Sequence, residues 1–130
     1  GVQYLIDGPA PEGREDISSL QDIDISFIDA LCSADLFLTK PGYGSFSQAA
    51  CNSIPVLYVE RPDWPEHKYL CDWLKQKIPC ASITQQQFYD GHFASQLISL
   101  LEQDIPPGMP DTGLDSAIKI LLNNFNLTEN

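Results

Sequence analysis

Short apolar runs alternate along this chain with segments whose apolar residues recur every three or four positions. Val2 to Ile6 reads as a strand, and Asp7 to Asp16, with two prolines and two glycines, as a loop. Ile17 to Ile23 fits neither period. Asp24 to Ser33 sets Ile25, Phe27, Ile28, Leu31 and Cys32 near one helical face, with Asp24 as its N-cap. Asp35 to Thr39 is then a strand, Ser45 to Asn52 a short helix capped by Ser45 with Phe46, Ala49 and Ala50 inward, and Pro55 to Val59 a strand.

Farther on, Glu60 to Glu66 has two prolines and reads as a structured loop in which Trp64 plugs a surface groove. His67 to Gln76 is a helix with Tyr69, Leu70, Trp73 and Leu74 on one face, and Ile78 to Ile83 is a strand entered through Pro79. Thr84 caps a brief turn through Gln87. His92 to Gln103 is an amphipathic helix with Phe93, Leu97, Leu100 and Leu101 inside. Ile105 to Pro110 is a stiff linker, Leu114 to Phe125 a last helix, and Asn126 onward a polar tail.

This alternation predicts an α/β fold: a three-layer, Rossmann-like parallel sheet of about four strands flanked by helices. Residues 1–105 form the α/β domain, and residues 106–130 are a linker and a C-terminal helix packed on it. The chain lacks an initiator Met and opens on core-like residues, so it is read as a fragment of a larger protein.

The net charge of −11 argues against nucleic acid, which needs a basic stripe, and against anionic membrane surfaces. No run of about 18 apolar residues is present to span a membrane. Cys32, Cys51, Cys71 and Cys80 show no C-x-x-C spacing, and two histidines make no zinc set. They read as buried free thiols, in keeping with a reducing cytoplasmic setting. No catalytic, metal or cofactor constellation emerges.

The segment with chemical promise is Lys40-Pro41-Gly42-Tyr43-Gly44-Ser45, between a strand and a helix. In a parallel sheet such a turn lies at the carboxyl edge, where open α/β sheets bind ligands. The N–H groups opening the helix suit an anion, phosphate above all. The intramolecular explanation is that the glycines satisfy a tight turn and Ser45 caps the helix.

Ala34-Asp35-Leu36, Gly42 to Ala49, Ser53 to Leu57 and Glu66-His67 together resemble the C-terminal, donor-binding half of GT-B glycosyltransferases of the family-28 type. The detailed likeness covers about a third of the chain, and the order of elements matches over most of it. The resemblance implies that Gly42, Tyr43, Gly44 and Ser45 hold the donor diphosphate. It implies that Lys40, Gln48, Arg61, Glu66 and His67 face the nucleoside and sugar, with Asp63 and Trp64 nearby. The donor implied is a uridine diphosphate sugar.

Two features depart from that family. Its acidic ribose-binding residue falls at Gln48, and its first strand, glycine loop and N-terminal acceptor domain are missing. The expected function is therefore donor binding for hexosyl transfer, with no activity of the fragment alone. The alternatives are a non-catalytic regulatory or interaction module on the same scaffold, or another Rossmann-like nucleotide-sugar enzyme such as an epimerase. The absence of a G-x-G-x-x-G after the first strand counts against the last.

Overall fold

Pro55 to Val59 is apolar without alternation because its strand is covered on both faces. The computed structural model describes residues 1–110 and 112–125. Three parallel strands form the main sheet in the order β3 (Phe37–Thr39), β4 (Val56–Val59), β5 (Cys80–Ile83). Helix α2 (Tyr43–Cys51) joins the first pair and α3 (His67–Lys75) the second. The register sets Thr39 beside Tyr58 and Tyr58 beside Ser82.

Side chains alternate across this sheet. Phe37, Val56, Tyr58 and Cys80 share a core with Leu31, Phe46, Ala49, Leu70, Cys71 and Leu74. The opposite face carries Leu38, Leu57, Val59, Ala81 and Ile83, packed with Phe93, Leu97 and Leu100. Helices α2 and α3, with Leu31 of α1 (Phe27–Cys32), therefore cover one face. Helix α5 (Ala94–Leu101) covers the other.

The expectation of one sheet of about four strands is corrected. β1 (Tyr4–Ile6) and β2 (Ile17–Ser19) form a separate two-stranded parallel sheet. The intervening loop has no crossover helix. It is closed by Arg14, whose Nε and Nη2 donate to the two Asp16 carboxylate oxygens at 2.7 and 2.6 Å, and by Tyr4 N donating to Asp16 O at 2.8 Å. Leu5 stays exposed, so this pair buries too little to be drawn into the main core.

Caps set the helix boundaries and move several of them. Ser26, not Asp24, opens α1: its Oγ accepts from Asp29 N at 3.1 Å, while Asp24 sits at φ 49°. Helix α2 begins at Tyr43 with Gly42 as N-cap, which leaves Ser45 inside the first turn. Helix α4 (Gln85–Asp90) has the expected Thr84 cap, completed as a capping box by Gln87. Gly91, in the left-handed region at φ 69°, ends it, and α5 starts two residues after His92.

Two apolar faces are also narrower than expected. Tyr69 is 77% exposed and Leu101 46%, whereas Trp73 packs on the core. Both exposed residues lie at the rim of stripes whose centres, Leu70 and Leu100, are buried. The last helix, α6 (Gly113–Phe125), has no buried residue, and only Leu122 is partly covered.

The linker, by contrast, docks tightly. Met109 N donates to Ala50 O at 3.1 Å, and a Cβ on Gly108 would lie 2.1 Å from Cys51 O. Glycine is required there by close backbone approach. Gly108→Ala is expected to destabilise the chain by about 1–3 kcal/mol as an overpacking change. Denaturant unfolding checks it, and an unchanged midpoint would mean that the linker seat contributes nothing.

Candidate functional site at the carboxyl edge of the sheet

Parallel strands deliver their following loops to one edge. Here Lys40-Pro41-Gly42 leaves β3, Glu60 to Glu66 leaves β4, and Thr84 leaves β5. The expected site residues are therefore gathered by topology, with Gln48 about one turn farther along α2.

The first turn of α2 is open. No side chain caps it, and the amides of Tyr43, Gly44 and Ser45 have no hydrogen-bond partner among the described residues. Phe46 N is the first to be satisfied, by Gly42 O at 3.0 Å. Ser47 Oγ donates to the Tyr43 and Gly44 carbonyls, at 2.8 and 3.1 Å, and so does nothing for those donors.

The intramolecular explanation of the glycines does not hold. Gly42 is extended at φ −164°, which any residue adopts. Gly44 is helical with no positive φ, and a Cβ there would meet nothing within 4 Å. A Cβ on Gly42 would make only ordinary contact, 3.7 Å from Ser45 Oγ. Neither positive φ nor packing requires glycine at these two positions; Gly42 occupies an N-cap, where glycine is favoured, and Gly44 has no such role.

Trp64 is the expected plug, half-buried against the α2/α3 core. The Arg61 guanidinium lies 5.5 Å above its ring, a cation–π contact, and Tyr43 meets it edge-on at 6.4 Å. The nearby Glu66 carboxylate raises the Tyr43 phenol's pKa. Lys40 is exposed, with no ion pair among the described residues.

His67 opens α3 and is turned inward. Its Nδ1 lies 3.7 Å from Cys71 Sγ, and its ring stands edge-on to Tyr58 at 6.3 Å. Burial pushes both the Cys71 thiol and the Tyr58 phenol upward. Burial likewise takes the Cys80 thiol to about 11. Cys71 and Cys80 are thus protonated at neutral pH and poor nucleophiles. Each thiol favours the fold below its ordinary titration range. That contribution is lost as pH rises through the folded-state value, about 11 for Cys80. Of the four thiols only Cys71 is buried; Cys51 and Cys80 are half-buried and Cys32 is exposed, which corrects the expectation of buried cysteines.

Three residues at this edge had no motif to mark them. Tyr58 is buried on the α2/α3 face of β4, Ser82 is its neighbour on β5, and Glu60 follows β4. Ser82 Oγ donates to Glu60 Oε1 at 2.8 Å. Only their place at the end of the central strands singles them out.

A hollow of about 380 Å³ lies at the opposite, amino end of β5, between Lys75, Lys77, Pro79, Cys80, Gln103 and Pro106. It adjoins the last turns of α3 and α5, where the helix dipoles disfavour anions. The glycine turn is an open surface: Lys40, Tyr43 and Gly44 are exposed. Among the described residues, no group of three or more His, Cys, Asp or Glu is placed to hold a metal ion. No helix among them is long and apolar enough to cross a membrane.

No protein-family model, curated protein or solved structure matches the chain. The fold and the site define it as an α/β chain with small parallel sheets flanked by helices and an open helix N-terminus at the sheet's carboxyl edge.

Proposed function

We propose that this chain is the nucleotide-sugar-binding part of a GT-B glycosyltransferase, gripping the donor diphosphate at the first turn of α2. The observation that carries this reading is the set of three unpartnered amides at Tyr43, Gly44 and Ser45, beside glycines the fold itself does not need. Backbone donors and the helix dipole stabilise a diphosphate both as ligand and as leaving group, without a metal. Hexosyl transfer by direct displacement then needs an acceptor domain from elsewhere in the parent protein.

The chain's negative charge opposes such a ligand only at short range. At physiological salt, charges farther off than about 8 Å are largely screened. The acids that matter are Glu60, Asp63 and Glu66, against Lys40, Arg61 and the helix N-terminus. Affinity is accordingly modest, with an expected Kd for uridine diphosphate near ~1 mM or tighter. Calorimetric titration checks it. Heat of binding together with a raised melting temperature supports the reading.

The absence of both favours the second reading, a non-catalytic module on the same scaffold. Gln48 at the acidic ribose position and the inward turn of His67 speak for that alternative.

A further inference from the structure

We infer that two copies of this chain form a two-fold dimer in which α6 of each lies along α5 of the other. Leu114, Ile118, Leu121 and Phe125 recur at intervals of four, three and four residues, so they form one stripe along α6. They are 71, 44, 54 and 67% exposed. A helix of 13 residues is marginal in water by itself and is stabilised mainly by packing such a face. Asp115 and Lys119 are the charged residues of α6 and cancel, so the chain's net charge of −11 does not oppose contact here.

Helix α5 carries the counterpart. Ala94, Ile98 and Leu101, continued by Ile105, repeat the same spacing. Phe93, Leu97 and Leu100 hold the sheet, so this second stripe lies on the flank of α5, with Ile98 and Leu101 about half exposed.

Within one chain the two stripes are out of reach. Helix α5 covers one face of the main sheet and α2 the other. The linker passes from the first to the second: Pro106 borders the hollow at the amino end of β5, Gly108 abuts Cys51 O, and Met109 N donates to Ala50 O near the end of α2. From Met109 to Gly113 four residues span at most about 14 Å. The α2 and α5 layers lie about 20 Å apart, at the ~10 Å spacing of packed layers. A second copy escapes that tether, and two-fold symmetry makes the contact twice. The doubling matters, because specific interfaces bury at least about 1,200 Å² and one pair of short helices supplies about half of that.

Sedimentation and native mass spectrometry of wild type, Leu121→Asp and Ile98→Asp test this, with circular dichroism to confirm that the variants fold. Both side chains are exposed in the single chain, so neither substitution touches its core. Wild type is expected to be dimeric at about 100 μM, as micromolar affinity requires. Each variant puts a carboxylate into both apolar seats and raises the dissociation constant at least ~tenfold. Mixing the variants restores a dimer, because Leu121→Asp keeps a sound α5 and Ile98→Asp a sound α6, which leaves one seat intact.

A monomeric wild type overturns the inference. So does an Ile98→Asp chain that dimerises like wild type, the result expected if α6 pairs with α6. Two monomeric variants that form no mixed dimer overturn it as well.

Discussion

Replacing Phe46 by alanine is expected to cost about 3–5 kcal/mol, a large part of the 5–15 kcal/mol that holds a typical domain together. Phe46 is fully buried and is the largest side chain that α2 sends into the sheet. Its ring meets Tyr58 edge-on at 5.6 Å, and Ala49 and Ala50 beside it are too small to fill the space it would leave. The cost combines lost transfer energy, a residual cavity and the lost aromatic pair. Phe46→Leu retains most of the volume and is expected to lose less than half as much. Urea unfolding followed by circular dichroism checks both. A loss below about 1 kcal/mol for the alanine variant would mean that α2 is not anchored through this residue. The functional consequence is direct, because the same anchor fixes the direction of the first-turn amides.

Gly44→Ala is expected to move stability and binding in opposite directions. A Cβ at Gly44 meets open space inside a helix, so alanine gains up to about 1 kcal/mol of helix propensity. The same methyl stands where a phosphate must approach the Gly44 and Ser45 amides, and affinity for uridine diphosphate is expected to fall at least tenfold, about 1.4 kcal/mol. Thermal melting and calorimetry on one preparation check both signs. A variant that is stabilised and still binds normally would show that the glycine surface is not the contact.

The main sheet and its helices were legible because each element is carried by local pattern. The run Pro55 to Val59 marks a strand, and the structure buries it on both faces, Tyr58 against Phe46 and Leu57 against Leu100. Thr84 and Gln87 form a capping box within four residues, so that helix start was visible too. What escaped were features decided by competition or distance. Asp24 and Ser26 are both acceptable caps, but only Ser26 reaches Asp29 N. Ser45 looked like a cap, yet Gly42 in extended conformation starts the helix one residue after Pro41. β2 is three residues long, too short for alternation to declare itself. Gly108 against Cys51, and Glu60 with Ser82, are contacts between segments far apart in sequence.

The candidate site divides in the same way. Its glycine turn was legible as a strand-to-helix connection, and topology brought the Glu60 to Glu66 loop beside it. The roles within it were less so. Trp64 organises Arg61 and Tyr43, and His67 faces Cys71. These pairings depend on where α3 begins relative to α2, which no spacing in the chain reveals.

The most direct measurement is a titration of isotope-labelled protein with uridine diphosphate, following backbone amide shifts by NMR. The amides of Tyr43, Gly44 and Ser45 should move first and farthest, saturating together, with little change around Lys75 to Cys80. Unmoved first-turn amides at millimolar ligand, or shifts centred on the amino edge of β5, would contradict a diphosphate grip at α2.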